Sequence, residues 1–551
     1  MRVCQQIVGV VAGVGSLLLG LLVALLPGGN AAAAPREATY IVVFGSASQV
    51  DRQRVQAAGN AIAGDLGEAG VLVVRSSDRA ALARLPGVTG VARDRIFLRV
   101  PREPGEMVRA ENLAAAAPSC ASTEAACPLQ WDLDRIHVPE AWETTRGAPG
   151  VKVAVLDTGL TSAHQEVGPN YDRAASRSFV QPSPDCPEDT PTSASLEDFQ
   201  GHGTWVATHI AGPNGRFMTG IAPASTLINV RVLGACGFGM FSWVMGGMLH
   251  AGSVGAQVVS MSLGGYVCRD GVVPGSSYCG TPEIVGDDPV LWQAGVQVVQ
   301  ALRARGTLVV AAAGNEHVRL DAAGRVASVG SLAVAKVGQD PANDLRGLSE
   351  APAGLPGVVA VSAVNRRTIE AKPGETRFGQ FGAGRRDQLT YYSNYGERID
   401  VAAPGGSRSY NVPRFDCLSL ACERLGRSAP TAADNPGDFG AWGVDLTTGN
   451  PCADCYVFIQ GTSMATPQVS GVAALALAAR PGMGPEKLRN LLREAVTDFR
   501  NRNATPAIAD EPGQPTFNYS MDYGEEGISN SRIGDGVIDA AAAVRRARNG
   551  D

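Results

Sequence analysis

Five short and nearly continuous apolar runs constrain the fold of this chain more than any other feature of its sequence. They are GVKVAVLD (150–157), TLINVRVL (226–233), AQVVSMSL (256–263), TLVVAAAG (307–314) and GVVAVSAV (357–364). Runs without alternation of apolar and polar residues are typical of strands buried on both faces of a parallel sheet. The sequence therefore predicts a three-layer α/β domain with a central, mostly parallel sheet covered by helices.

A smaller unit precedes this domain, at residues 39–100. Its apolar stretches predict strands over 39–44, 71–75 and 88–100, the last as a strand pair or one bent strand, and helices over 55–66 and 78–85. Residues 101–127 lack periodicity and are predicted to be a linker. The unit is therefore predicted to be separate; the alternative is the first third of a larger sheet domain.

The N-terminus is typical of an export signal. An uncharged apolar run of about 20 residues, from Ile7 to Leu26, follows Arg2, and small residues come after Pro27. We expect a cleaved signal peptide over 1–34 and a secreted protein, extracellular or periplasmic, with no stable membrane association. The alternative is an uncleaved membrane anchor, since the run is long enough to span a bilayer.

The cysteine count agrees with export. Ten of the eleven cysteines lie beyond the signal, and an even number in an exported chain favours disulfides. Proximity in sequence suggests the pairs Cys120/Cys127, Cys186/Cys236, Cys268/Cys279, Cys417/Cys422 and Cys452/Cys455. Cys452 and Cys455 could instead form half of a metal site, although the chain has no second CxxC. Residues 407–456, rich in Gly, Pro, Asp and Cys, are predicted to be a disulfide-stapled surface insertion.

Net charge gives no support for a nucleic-acid partner. The formal charge is −6 over 551 residues, and the chain has no long basic run.

Three separated residues together have the groups needed for nucleophilic catalysis. Asp157 ends the first apolar run, His202 lies between glycines in QGHGTWVATHIAG, and Ser463 lies near the first turn of a helix predicted to continue to about Ala479. Individually they could be a turn residue, a packed histidine and a helix cap. A serine hydroxyl is a weak nucleophile, however, and needs a base that is itself oriented by a carboxylate.

The segments VAVLDTG, GHGTWVA and GTSMATPQVSGVAAL jointly resemble the subtilisin-like serine peptidases, the subtilases. The resemblance implies a subtilisin-like fold and a secreted endopeptidase. It would hydrolyse peptide bonds through Asp157, His202 and Ser463 by way of an acyl-enzyme, with no cofactor for the chemistry. It also implies polypeptide substrates, and we expect a monomer.

Further segments extend the resemblance. VVAAAGNE (309–316) is similar to the oxyanion segment of the family, which implies that role for Asn315, and SMSLGG (260–265) is similar to the substrate-binding edge, which implies Ser262, Leu263 and Gly264. The small residues of both segments indicate a roomy apolar pocket.

The unit at 35–100 is similar to the inhibitory propeptide of the family, a ferredoxin-like βαββαβ domain. The chain would then be a self-processing zymogen, cut within 100–127, with its catalytic domain at 128–551.

The chain also departs from the family pattern. Thr208 and His209 are unusual in the helix after His202, and we expect His209 to be packed rather than catalytic. The stretch 212–220 is short where several relatives have a calcium-binding loop, and Glu166 lies where some relatives have a calcium ligand. We expect the calcium site of that loop to be missing, and the sequence shows no partner set for Glu166. Structural calcium is possible, but no metal site is assigned. The competing function is a catalytically silent binding protein; the presence of all four key residues argues against it.

Overall fold

The computed structural model describes residues 37–99, 106–110, 129–182, 186–189, 195–213, 215–273, 278–280, 282–329, 345–364, 389–390, 392–406, 437–497 and 533–550. The predicted signal peptide and the pairs Cys120/Cys127 and Cys417/Cys422 lie outside these residues.

The described strands, in chain order, are β1 (Ala38–Phe44), β2 (Ala61–Leu66), β3 (Val71–Ser76), β4 (Val88–Arg93), β5 (Ile96–Arg99), β6 (Glu106–Arg109), β7 (Lys152–Asp157), β8 (Arg177–Ser178), β9 (Thr226–Arg231), β10 (Phe238–Met240), β11 (Val258–Met261), β12 (Gly265–Val267), β13 (Leu308–Ala312), β14 (Val318–Leu320), β15 (Val326–Val329), β16 (Ser349–Ala351), β17 (Val358–Val364), β18 (Tyr395–Gly396), β19 (Val401–Pro404), β20 (Asp438–Ala441), β21 (Cys455–Ile459), β22 (Val496–Thr497) and β23 (Val537–Ile538). The described α-helices are α1 (Arg52–Ala57), α2 (Arg79–Ala83), α3 (Trp131–Arg135), α4 (Val138–Trp142), α5 (His202–Ala211), α6 (Phe241–Ser253), α7 (Pro282–Ala304), α8 (Thr462–Ala479), α9 (Pro485–Glu494) and α10 (Ala540–Asn549).

The five apolar runs form the centre of one large sheet. Its strand order is β22-β23-β19-β17-β13-β11-β7-β9-β8, and neighbouring strands are parallel except for β22 and β23. Successive side chains of β7 enter opposite apolar cores: Val153 and Val155 pack on one face of the sheet, and Ala154 and Leu156 on the other. Both faces are therefore buried, which explains why the runs lack polar residues.

Helices cover both faces of this sheet and confirm the predicted three layers. Helices α5, α8, α9 and α10 contribute to one core, whereas α6 and α7 contribute to the other. Small residues let α8 pack closely in the middle of the domain. A Cβ on Gly471 would lie 2.7 Å from the Cβ of Ile221, so a larger side chain would push the helix away.

The N-terminal unit has the ferredoxin-like βαββαβ order, with an antiparallel sheet arranged β2-β3-β1-β4. One prediction within it was wrong. Only the start of the alanine-rich stretch 55–66 is helical, because α1 ends at Ala57 and Gly59 turns the chain with a φ of 79°. The rest forms β2, since pairing with β3 outweighs the modest helix preference of alanine.

Two strands join the N-terminal region to the larger domain. The stretch 88–100 forms a pair of strands, of which β5 leaves the small sheet and pairs antiparallel with β10. Strand β6 lies in the segment predicted to be only a linker and pairs antiparallel with β21. These pairings depend on main-chain hydrogen bonds to distant strands, which leave no periodicity in the sequence.

Much of the described part of the predicted surface insertion is buried, contrary to expectation. Phe439 and Tyr456 are fully buried, and their rings stack with centroids 5.4 Å apart. The exposed residues of this described part are 446–451 and Ala453. Aromatic residues spaced far apart in the sequence thus form a small core between β20 and β21.

Three predicted disulfides are present: Cys186–Cys236, Cys268–Cys279 and Cys452–Cys455. The part of the chain that the structure describes contains no helix of the length and apolarity that crossing a bilayer requires.

Candidate active site

The end of β7 and the start of α5 bring Asp157 and His202 together. Gly203 makes this approach possible, because a Cβ at that position would lie 2.3 Å from the carbonyl oxygen of Gly159. The N-terminus of α5 therefore rests directly on the turn that follows Asp157. In this arrangement the Nδ1 atom of His202 lies 2.8 Å from Oδ1 of Asp157.

The Asp157–His202 pair is buried, and the two ring nitrogens of His202 differ in their hydrogen bonding. The side chains of Asp157 and His202 are 1% and 5% exposed. Oδ1 of Asp157 also accepts the N–H of Thr158 at 2.8 Å, and Nε2 of His202 has no hydrogen-bond partner among the described residues. A carboxylate accepts a hydrogen bond from the N–H at Nδ1, so it favours the tautomer whose Nε2 has a free lone pair. His202 is thereby suited to accept a proton at Nε2.

Asp198, which sequence reasoning missed, holds the elements on either side of this pair. Its carboxylate is fully buried and accepts five hydrogen bonds of 2.7–2.9 Å, from the hydroxyls of Thr158 and Thr204 and from the N–H groups of Gln200, Gly201 and Thr204. It therefore ties the turn after Asp157 to the first turn of α5. The sequence offered one signal for this role: an Asp lies four residues before His202, just ahead of the Gly that precedes the helix, where aspartates commonly accept main-chain N–H groups.

Ser463 is the second residue of α8, after Gly461 as the N-cap, so it is not itself the cap. Pro467 lies beyond the first turn, and its missing N–H leaves the carbonyl of Ser463 without a helical donor. The hydroxyl of Ser262 donates to this carbonyl at 2.8 Å. In return, the hydroxyl of Ser463 donates to the carbonyl of Ser262 at 3.1 Å. The Ser463 proton is thus directed at Ser262 rather than at His202.

The predicted residues meet at the carboxyl edge of three adjacent strands. Asp157 ends β7, Ser262 follows β11 and Asn315 follows β13, and these strands are consecutive in the sheet. Neighbouring strands lie about 4.8 Å apart, so residues at the carboxyl ends of these three strands lie close together. Ser463 reaches this edge through its two hydrogen bonds to Ser262.

The side chain of Asn315 is fixed against α8. Its Oδ1 accepts the N–H of Thr462 at 2.9 Å and the hydroxyl of Thr462 at 3.0 Å. The same hydroxyl accepts the N–H of Gly314 at 3.2 Å. The orientation of the amide is therefore set by the residue next to Ser463.

Residues 262–264 lie between two paired segments, since the pairing of β11 ends at Met261 and that of β12 begins at Gly265. The side chains of Ser262 and Leu263 are buried. The third residue of the predicted substrate-binding edge, Gly264, has no side chain.

Glu166, considered as a calcium ligand, is surrounded by hydrogen-bond donors. Its Oε1 accepts the hydroxyl of Tyr456 at 2.7 Å and the N–H of Phe217 at 2.9 Å, and its Oε2 accepts the N–H of Arg216 at 3.2 Å. Burial raises the pKa of this carboxyl group. A cation needs these oxygens open, so the residues present do not fit a calcium ion here.

In three other clusters of potential metal ligands, the described residues form disulfides or contact one another. The sulfurs near Glu188 and Asp454 are bound in disulfides, which leaves no thiolate there. The third cluster contains Asp132, His209 and Asp438, all fully buried. Nε2 of His209 lies 2.6 Å from Oδ2 of Asp132, and its ring stacks on Trp205 at 4.3 Å. His209 is therefore packed, as predicted.

The model of the subtilase family, Peptidase S8, matches residues 148–534. This range contains every residue of the site described above.

Curated relatives agree with this match. M-protease of Shouchella clausii (strain KSM-K16) is 28% identical over 382 residues, which cover 69% of this chain and 68% of that protein. Subtilisin Savinase of Lederbergia lenta is 28% identical over 376 residues, which cover 68% of this chain and 94% of that protein.

A solved structure shows the same fold over most of the length. The epidermin leader peptide processing serine protease of Staphylococcus aureus aligns with a TM-score of 0.61 and 20% identity, covering 93% of this chain and 98% of that one.

Proposed function

Because the chain belongs to the subtilase family of serine peptidases, we propose that it is a secreted zymogen that removes its own N-terminal domain and then cleaves polypeptides with Ser463, His202 and Asp157. The hydrogen bond between Asp157 and Nδ1 of His202, which leaves Nε2 available as a base, is the observation that carries this proposal.

Catalysis begins when the hydroxyl of Ser463 turns from the carbonyl of Ser262 to Nε2 of His202. His202 takes the proton while the serine oxygen attacks the peptide carbonyl, and Asp157 stabilises the imidazolium that forms. His202 then gives the proton to the leaving amine. Water hydrolyses the acyl-enzyme by the same steps, so the residues of the chain suffice for the chemistry.

Asn315 and the main-chain N–H of Ser463 stabilise the negative oxygen of the tetrahedral intermediate. The two hydrogen bonds from Thr462 to Oδ1 of Asn315 support this role, because they fix the amide before the reaction starts. A donor that needs no reorganisation is worth more to the transition state than a mobile one.

The domain at 35–100 acts as the propeptide and is a partner of the catalytic domain in the same chain. Support comes from its contacts with α6 and α7. The side chain of Asp94 accepts the N–H of Ser242 at 3.1 Å and its hydroxyl at 2.6 Å. Nη2 of Arg79 lies 2.5 Å from Oδ1 of Asp287. Strand β5 then continues toward the larger domain along β10.

Processing within 100–127 would release this domain. The signal peptide over 1–34, the catalytic domain over 128–551 and the monomeric state belong to the same proposal. Export is supported by the apolar N-terminal run and by the three disulfides.

Intact mass after fluorophosphonate treatment tests the proposal. We expect one adduct on the processed protein and none on Ser463→Ala, and the starting mass should lack residues 1–34 and the N-terminal domain. Ser463→Ala should keep that domain, since it cannot cut itself. Folded, processed protein that takes no adduct would instead identify a silent binder.

A further inference from the structure

A buried carboxylate lies beside the predicted substrate-binding edge. Glu350 belongs to β16 and lies opposite Tyr266 of β12. It is 1% exposed, and its Oε2 accepts the N–H of Gly354 at 3.0 Å. Its Oε1 has no hydrogen-bond partner in the part of the chain that the structure describes. Leaving a buried carboxylate oxygen unpaired is costly, which indicates a site kept for a ligand.

Gly264 shows where this oxygen points. A Cβ on Gly264 would lie 2.6 Å from Oε1 of Glu350. The carboxylate therefore occupies the space where a side chain at 264 would lie. The unpaired oxygen thus faces the main chain of the predicted substrate-binding edge.

A second carboxylate increases the negative charge of this region. Glu316, next to Asn315, accepts the hydroxyl of Tyr266 at 2.6 Å and the N–H of Asn315 at 2.8 Å. Burial, and then the charge of Glu316, raise the pKa of Glu350 well above its ordinary value. A cation placed between these groups would favour the ionised carboxylate.

No described residue supplies that cation as an ion pair. Arg398, whose charge also acts on Glu350, is held by Asp400 at 2.9 Å and by the carbonyls of Leu355 and Val358. Among the described residues, Oε1 of Glu350 therefore has no cationic partner, so a bound ligand can supply one.

We propose that Glu350 selects substrates with arginine or lysine at P1, the residue whose carbonyl Ser463 attacks. This specificity rests on the proposed peptidase function. The basic side chain would pass Gly264 and pair with Oε1 of Glu350, whereas an apolar side chain would leave this oxygen unpaired. A charged subsite replaces the roomy apolar pocket that the small residues of the two segments indicated.

The test compares four peptides that differ only in the P1 residue: arginine, lysine, leucine or phenylalanine. The enzyme is the processed wild type, with Glu350→Gln as the variant. Glu397→Gln is the matched control, because it removes the same charge from an exposed residue paired with Arg319.

We expect the wild type and Glu397→Gln to prefer arginine and lysine by at least about 10-fold in kcat/KM. Glu350→Gln should lose about 100-fold on these two peptides and little on leucine, the size expected for a buried charged hydrogen bond. Equal loss on all four peptides would indicate a structural role for Glu350 and overturn the inference. A wild-type preference for leucine or phenylalanine would overturn it as well.

A second measurement does not depend on the variant folding. Benzamidine, a planar cation, should inhibit the wild type competitively, whereas the neutral analogue benzyl alcohol should not. Equal inhibition by the two would contradict the inference. Fluorophosphonate labelling of the same sample separates the hypotheses: a labelled enzyme without basic preference overturns only the specificity, and an unlabelled one overturns the peptidase function.

The processing region gives an independent readout. Its basic residues are Arg102 and Arg109. The mature N-terminus should therefore follow one of these two residues in the wild type, and this cut should be absent from Ser463→Ala. A self-made cut after any other residue would contradict the specificity.

Discussion

Helix α5 contains two histidines, seven residues apart, that each pair with an aspartate from another element but differ in their surroundings. His202 begins the helix, binds Asp157 through Nδ1 and lies at the carboxyl edge of the sheet. His209 binds Asp132 through Nε2, stacks on Trp205 and is fully buried. The same two groups can thus form a proposed catalytic pair at the edge of the sheet and an internal tie between α3 and α5.

The buried pair also has a second carboxylate. Asp438 lies in the same cluster, and burial followed by the charge of Asp132 raises its pKa well above the ordinary value. Gln468 of α8 donates to Asp438 at 3.1 Å. The second pair therefore joins α3, α5, β20 and α8 in the interior, which is a structural task.

Matched substitutions of the two histidines would test this comparison most strongly. His202→Asn should lower kcat/KM by at least about 10⁴-fold, as expected for loss of a triad base. His209→Asn should change kcat/KM of the folded enzyme only a few-fold. It should, however, lower the free energy of unfolding by about 3 kcal/mol, because buried carboxylates lose their partner. Peptide hydrolysis by enzyme that retains Ser463 measures the first effect. Urea unfolding with and without His209→Asn, both in a Ser463→Ala background, measures the second.

If folded His209→Asn lost as much activity as His202→Asn, the second pair would be part of the catalytic machinery and the comparison would fail.

Asn315→Ala would sharpen the description of the edge to which His202 belongs. We expect kcat to fall by about 10²–10³-fold with little change in KM, since the amide in its proposed role would act mainly on the transition state. Steady-state kinetics on one peptide would measure both constants. An increase confined to KM would instead assign Asn315 to substrate binding.

Asp94 is a third buried carboxylate to compare with Asp157 and Asp132, and its partner is Ser242 rather than a histidine. Burial raises its pKa to about 6 at the interface with α6. The docked state of the N-terminal domain, the proposed propeptide, therefore binds a proton that the separated domain would give up, so docking should weaken as the pH rises from about 4 to about 6. Linkage to a pKa shift of this size predicts a change of roughly 100-fold in the affinity of the isolated proposed propeptide for the rest of the enzyme.

Asp94→Asn should remove that part of the pH dependence. Titrating the purified propeptide against processed enzyme at several pH values would measure it. If the affinity of the wild type and of the variant changed equally with pH, the pH dependence would belong to another group.

Asp198→Asn tests the residue that holds the start of α5. If the new amide N–H₂ replaces Oδ2, the buried N–H of Thr204 loses its acceptor. We therefore expect a loss of about 10-fold in kcat and a lower midpoint of urea unfolding. Asp321→Asn is the control, because Asp321 also accepts N–H groups in a turn but is only partly buried. Unchanged kcat with a lower midpoint would restrict Asp198 to stability.

Local patterns were sufficient for several features of this protein. The five buried strands were identified by continuous apolar runs, and Asp157, His202, Ser463 and Asn315 by short motifs. The roles of these four residues remain predictions, although the structure brings Asp157 and His202 into contact. Segments whose partners are distant were not identified, among them β6 and the β2 half of a stretch that has helical composition.

The sequence by itself determined the layered α/β architecture and the residues with reactive groups, because periodicity and short-range spacing are properties of neighbouring residues. Only the tertiary structure decided which histidine lies at the sheet edge, that Asp198 organises the turn beside it, and that Glu350 points at Gly264. Burial and the direction of a carboxylate depend on residues far apart in the chain, so neither can be obtained from one segment alone.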